Sequence, residues 1–245
     1  MSDAKSKYSR LNQIAKSYHL NSDLEDCFIE ELCQKFFLEW LVSFLEKEDQ
    51  VLELGYGDGF VTNYLYEKNI NITVIEGSSI LVEKAKTKHP NLSCIKTLFE
   101  EYNPKKKYNI ILALHILEHV DNPLTLLNHL YNLLTEKGKI IIAVPNCESI
   151  HRRLALIMNL HESLDALSQR DLMVGHQRVY SHKELLIQIE EAGFEEIEFK
   201  GFFLKVLPNS MMVNFSNELI LALNQVAPSI NPELCANIVS VIKRR

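Results

Sequence analysis

From Val51 onward, short β-rich runs alternate with helical segments, and this alternation limits the fold more than any other feature of the chain. Strands are expected near 50–54, 72–76, 92–96, 108–114 and 139–144, with helices at 59–68, 78–88 and 123–134. Such a series buries its apolar faces as βαβ units, helices packing on a mostly parallel sheet. Asn122-Pro123 starts the last of these helices, and Glu136 to Gly138 is expected to turn into the fifth strand. After Val144 the alternation stops for about 36 residues, until Ser181, with Glu184 at the capping-box position and Gly193 as stop, begins a new helix. So long a connection in an α/β domain is usually a lid or a binding segment. Within it a helix is expected at 148–158, where Ile150, Leu154, Ile157 and Met158 share a face. A strand at 195–203, an irregular segment from Leu204 to Ser216, a helix at 216–226 and a strand at 237–243 follow. Ahead of the sheet, 8–20 and 24–45 read as helices. The expected organisation is an N-terminal helical cap over 1–46 and a main domain over 47–245, with a lid insertion at 146–180.

Of the 245 residues, 47% are apolar and 24% charged, enough for a sizeable core and unlike a disordered chain. The net charge of −6 gives no global cationic field to gather polyanions, so nucleic acid is not expected as a partner. Lys105 to Lys107 and Lys243-Arg244-Arg245 read as solvated basic clusters. The opening residues, MSDAKSKYSRLNQ, lack the apolar centre of a secretory signal, and no apolar run approaches bilayer length. A cytoplasmic protein without a membrane span is expected. Five cysteines (27, 33, 94, 147 and 235) with no C-x-x-C pair read as free thiols. No sequence feature specifies an oligomeric state.

The segment VLELGYGDGF, Val51 to Phe60, joins an apolar strand to a helix through Gly55, Gly57 and Gly59. Such a turn brings backbone close to a ligand at a helix N-terminus, which implies a nucleotide-like ligand. The dinucleotide pattern G-x-G-x-x-G would need glycine where Phe60 stands, and Glu53 would oppose a pyrophosphate. E-x-G-x-G-x-G after the first strand, with Glu76 closing the next strand 23 residues later, resembles the class I S-adenosylmethionine-dependent methyltransferases. The resemblance covers about 45–144 in good registration and the remainder more loosely. It implies a Rossmann-like α/β fold with helices on both faces of a seven-stranded, mostly parallel sheet in the order 3-2-1-4-5-7-6. Strand seven is antiparallel, and 237–243 is its candidate. S-adenosylmethionine is the implied cofactor and S-adenosylhomocysteine the product. By position, Glu53, Gly55, Gly57 and Gly59 receive the aminoacid end, and Glu76, with Gly77 beside it, holds the ribose hydroxyls. Leu98 and Phe99 flank the adenine; Leu114 and His115 lie by the methionine part and sulfonium. Tyr56 departs from the family, which usually has a small residue there, and is expected to narrow the methionine pocket.

His115-Ile-Leu-Glu-His119 has the H-x-x-E-H spacing of one class of zinc peptidases. A peptidase needs it well inside a helix, whereas here it follows directly on a β run and Pro123 lies four residues beyond it. LEHVDNP at 117–123 instead resembles the segment that commonly follows the methyltransferase fourth strand. A similar segment in ubiquinone-pathway O-methyltransferases has been implicated in divalent-metal binding. His115, Glu118 and His119 therefore stand as an alternative ligand set, although the preferred expectation is no metal, with Glu118 and His119 bonded to backbone.

Methyl transfer to a hydroxyl requires alignment, exclusion of water and a base. The long segment supplies His151, Arg152, Arg153, His161, His176, Arg178 and Tyr180. Its densest part, GHQRVYSHKEL, resembles an element of many bacterial methyltransferases associated with sugar, lipid or cell-surface polysaccharide biosynthesis. The candidate catalytic set is His176 as base, His119, and Tyr180, with Arg178 or Tyr180 orienting the acceptor; alternatively His176 and Arg178 only pin the lid. Arg152-Arg153 reads either as an anion site or as a solvated face, and His182 as surface. The expected activity is O-methylation of a small metabolite or sugar, phosphorylated or nucleotide-linked forms included, in surface-polysaccharide or secondary metabolism. N- or C-methylation, or cofactor binding without turnover, are the alternatives.

Overall fold

The computed structural model describes residues 2–20 and 27–245. Helix α1 (Ser2–Ile14) runs into a π-helical turn, Ala15–His19, and α2 (Cys27–Leu41) into a 3₁₀ turn, Val42–Phe44. Residues 24–26, expected to open the second helix, lie outside the described residues. The alternating part comprises β1 (Gln50–Leu54), α3 (Phe60–Glu67), β2 (Asn71–Glu76), α4 (Ser79–Lys88), β3 (Ser93–Lys96), β4 (Tyr108–Leu114), α5 (Pro123–Leu133) and β5 (Leu134–Pro145). Then come α6 (Ile150–Ile157), α7 (Gln169–Val174), α8 (His182–Glu191), β6 (Phe194–Phe202), α9 (Asn209–Met212), α10 (Asn217–Val226) and β7 (Asn237–Arg244).

The strands form one sheet in the order β3-β2-β1-β4-β5-β7-β6. β7 is antiparallel to both neighbours, and the other pairs are parallel. Side chains alternate between faces along each strand, so the central strands feed two cores. Leu52, Ile111, Ile140 and Ile142 pack with Leu126, Leu130, Leu185 and Ile189 of α5 and α8. Val51, Leu112 and Ile141 pack on the opposite face with Leu38, Leu65, Leu81 and Ala85 of α2, α3 and α4.

Two expectations change in detail. The turn at 136–138 is an excursion within β5: pairing with β4 jumps from Tyr108 opposite Leu134 to Ile110 opposite Lys139. A Cβ on Gly138 would meet Leu134 at 2.2 Å and the Tyr108 carbonyl at 3.0 Å. Short α7 was not anticipated, yet it carries a complete Ser168/Asp171 capping box. Cys33, Cys94, Cys147 and Cys235 are buried free thiols, while the side chain of Cys27 lies outside the described residues. Among the described residues no helix is long and apolar enough to cross a membrane.

Candidate active site

The strand order reverses between β1 and β4, the switch point where α/β sheets open a crevice at the strand C-termini. Into it projects the glycine loop, whose Gly55, Gly57 and Gly59 have φ of +78°, +53° and +83°. Those left-handed angles explain why side-chain-bearing residues are excluded at alternate positions. Glu76 braces the loop: its Oε2 accepts the Tyr56 N–H at 2.8 Å and its Oε1 the Ser78 N–H at 2.6 Å. Glu53 Oε2 accepts the Thr62 hydroxyl at 2.6 Å. Both carboxyl groups are buried. Burial pushes Glu53 up to about 8, against the Thr62 bond and with added repulsion from Glu76. Burial raises Glu76 too, opposed by the backbone N–H bonds at Ser78 and Tyr56. Two destabilised carboxylates facing one crevice favour a ligand that brings positive charge and hydroxyl donors.

A single cavity of about 750 Å³ joins Glu53, Gly55, Tyr56, Gly57, Glu76, Gly77, Leu98, Phe99, Leu114 and His115. Gly59 supports the loop from behind: a Cβ there would lie 2.4 Å from the Tyr56 ring. That ring packs beneath Gly59 in the apolar core while Tyr56 also lines the cavity. Helix α1 roofs the crevice. A Cβ on Gly77 would touch Leu11 at 2.4 Å, Ser78 donates to Asn12 at 2.8 Å, and Tyr8 donates to Glu101 at 3.1 Å. His19 Nδ1 lies 2.6 Å from Asp58 Oδ1 at the loop itself. None of these hydrogen bonds was readable in advance, because they join residues 39 to 93 positions apart in the sequence.

His115 follows directly on β4 with φ +55°, a left-handed conformation uncommon among non-glycine residues, and lines the cavity. Its Nδ1 is 3.0 Å from Glu118 Oε1, so Glu118 bonds a side chain and not the backbone partner expected of it. Burial would lower His115, but the Glu118 bond and charge raise it overall; burial would raise Glu118, but His115 and the neighbouring histidines draw it down. Glu118 Oε2 is buried without a partner.

His176 also lines the cavity. Its Nδ1 is 2.9 Å from Asp171 Oδ1, its Nε2 4.0 Å from Glu118 Oε1, and its ring meets the His119 ring edge-on at 4.7 Å. Burial pushes His119 down to about 4, leaving a neutral imidazole. Ligand atoms of Glu118, His119 and His176 all fall within 4.8 Å of one another, a spacing able to receive a metal ion. The grouping contains His176 where the sequence had suggested His115.

Tyr180 and Arg178 require correction. Arg178 donates to the carbonyls of Leu117 at 2.8 Å and Val120 at 2.6 Å, and the Tyr180 hydroxyl donates to Leu117 O at 3.3 Å. Tyr180 is fully buried and neither residue lines the cavity, so both fasten their segment to the turn after β4. Arg152 is buried and donates to Asp171 at 2.8 Å and to the Ala166 carbonyl at 2.8 Å, neither a free anion site nor a solvated face. His182 is half-buried, paired with Glu196 at 3.0 Å and stacked on Phe199. Asp171, Glu30 and Lys205 are cavity residues missed from sequence. Only Asp171 had a local signal, the S-x-x-D of its capping box.

A methyltransferase-domain family profile matches residues 25–198. The chain belongs to the class I S-adenosylmethionine-dependent methyltransferases. S-adenosylmethionine is its methyl donor and S-adenosylhomocysteine its product. This methyltransferase is similar to malonyl-[acyl-carrier protein] O-methyltransferase 1 of Ilyobacter polytropus, at 30% identity over 77% of this chain and 75% of that one. It is 28% identical to the ubiquinone biosynthesis O-methyltransferase of Rickettsia bellii over 40% of this chain and 42% of the relative. The fold matches a crystal structure from Thermotoga maritima described as a methyltransferase, possible histamine N-methyltransferase. The TM-score is 0.61 at 22% identity, covering 89% of this chain and 92% of that one.

The glycine loop supplies a direct test in this methyltransferase. Gly59→Ala forces a left-handed alanine against the buried Tyr56 ring. It is expected to cost about 2 kcal/mol of stability in a denaturant titration. S-adenosylhomocysteine affinity is expected to fall with it; unchanged stability and affinity would contradict the loop geometry.

Proposed function

We propose that this enzyme methylates an oxygen of a small-molecule acceptor, a hydroxyl of a metabolite or sugar, with His176 as general base. The observation that carries the reading is the Asp171–His176 pair at 2.9 Å, lining the same cavity as the end of β4 where the sulfonium is assigned. Asp171 is held well below the usual carboxylate range: burial would raise it, but the His176 and Ser168 bonds and the Arg152 charge prevail. An ionised Asp171 keeps the proton on Nδ1 and leaves Nε2 free to accept. In transfer, the acceptor oxygen forms a bond to the methyl carbon while the carbon–sulfur bond breaks and its electron pair stays on sulfur. The hydroxyl proton passes to Nε2, and Asp171 and Glu118 stabilise the imidazolium. The lid and α1 keep water from the donor.

A second reading follows from the malonyl-[acyl-carrier protein] O-methyltransferase relative: transfer to a carboxylate, which has no proton to lose. Hydroxyl-bearing and carboxyl-bearing acceptors, including sugars, assayed for S-adenosylhomocysteine release and for methylated product by mass spectrometry, separate the two. The base reading expects hydroxyl products and a rate that falls in acid. Products that are only methyl esters would favour the second reading.

A further inference from the structure

Beyond the donor crevice the cavity continues over the ends of β5, β7 and β6, where Pro145, Asn237 and Phe202 line it together with Gln34, His151 and Lys205. Phe203, at φ +64°, bends the chain as β6 ends, and Lys205 follows two residues later.

Among the described residues the arginines of this quarter are paired with carboxylates. Arg170 is 3.2 Å from Glu30, whose oxygens also accept from Tyr18 at 3.3 Å and Asn209 at 3.0 Å. Arg152 is 2.8 Å from Asp171, which His176 also engages. Lys205 is partly buried beside Phe203, and among the described residues no carboxylate reaches it within 4.0 Å. Its charge acts on the nearby ring of His151, whose Nδ1 is buried and unpartnered. Burial first, then the Lys205 charge, push His151 down to about 2, so this imidazole is neutral. Gln34 Oε1 is likewise buried without a partner. Burial pushes Lys205 itself down to about 8, against the charges of Glu30 and Asp171 and with those of Arg170 and Arg152.

We propose that Lys205, with His151 donating a second hydrogen bond, anchors a carboxylate of the acceptor, on a different carbon from the oxygen that is methylated. A lysine in a partly buried site with no carboxylate within 4.0 Å among the described residues matches one negative charge; a phosphate dianion would bring a second charge that Lys205 alone does not meet. Gln34 Oε1 is then placed to accept from a neighbouring hydroxyl or N–H of the same molecule. The inference rests on the reading above for where the methyl goes, but the anchor stands on the Lys205 geometry alone. It makes the acceptor a hydroxy acid and gives the site its discrimination, since a neutral amide of the same shape leaves the cation uncompensated.

The test uses the full chain saturated with S-adenosylhomocysteine. Hydroxy-monocarboxylates of two to six carbons, their primary amides and inorganic phosphate are titrated by calorimetry. At least one acid is expected to bind saturably and its amide at least about tenfold more weakly. Lys205→Met is expected to abolish the preference, Lys205→Arg to keep part of it, and both to bind S-adenosylhomocysteine as wild type does. In the wild-type protein the Lys205 ε-carbon NMR titration is expected to move to higher pH when the acid is bound, a readout independent of any variant's folding. No saturable acid, equal binding of acid and amide, tighter binding of phosphate, or an unmoved Lys205 titration each overturns the anchor. Methylation on nitrogen or carbon of an acid held by Lys205 would sink the oxygen reading and leave the anchor intact. Hydroxyl methylation indifferent to Lys205→Met would do the opposite.

Discussion

Replacing His176 with alanine is expected to lower kcat by about 10²- to 10³-fold, the usual range for losing a positioned general base. Affinity for S-adenosylhomocysteine is expected to stay within about twofold, because none of the assigned donor contacts runs through this side chain. The two roles of His176 predict different data. As a base it imposes an acid limb on the rate profile, and that limb vanishes in the variant. As a mere pin for the lid, its loss frees Asp171, which Arg152 at 2.8 Å and the Ser168 hydroxyl at 2.7 Å continue to hold. The result would then be a lower melting temperature and a raised KM with kcat little changed. The discriminating measurement is kcat against pH for both proteins with one hydroxyl acceptor; superimposable profiles would remove His176 from the chemistry.

Donor binding by the wild-type enzyme is expected to release a proton and to tighten as pH rises towards 8. The Glu53 carboxyl, raised by burial from the ordinary 4.5 to about 8, is largely protonated in the donor-free protein at neutral pH. The ammonium and sulfonium of the donor favour its carboxylate, so binding must expel that proton. Affinity then gains at most about tenfold per pH unit below 8 and levels off above it. The same shift governs the donor-free fold. Because the folded value lies above the unfolded one, Glu53's stabilising contribution is complete below 4.5. It is lost as pH climbs through about 8, a swing on the order of a few kcal/mol. Adding donor offsets the loss. Calorimetry in buffers of differing ionisation heat reads the proton count, and Glu53→Gln is expected to bring it to zero and weaken binding at pH 8 by about tenfold or more. A pH-independent donor affinity in the wild type would show that Glu53 does not face the cation.

What could be read from the chain was what short stretches encode. Two-residue and three-to-four-residue apolar periods located the strands from Gln50 to Leu114 and helices such as α5 and α10. The glycines of 55–59 reported a backbone that only glycine adopts readily, and Glu53 and Glu76 stood at strand ends whose direction the crossovers dictate. The lid was harder. Its helix α6 was visible as an apolar face, and the same sequence offered His176 as base with Arg178 or Tyr180 to orient the acceptor, but only packing showed which of them reach the cavity. Tyr180 turned inward onto Leu117, while His176 stayed at the cavity with Asp171.

By itself, then, the sequence determined the order and kind of the elements and the donor loop, since periodicity and glycine content are properties of neighbouring residues. Tertiary structure decided which distant side chains share the cavity. Glu30 meets Arg170 across 140 positions and Asn12 meets Ser78 across 66. Among the described residues Arg152 and Arg170 hold Asp171 and Glu30, and no carboxylate reaches Lys205 within 4.0 Å. Pairing of this kind is a competition among groups brought together by the sheet and its crossovers, and no local pattern in the chain records its outcome.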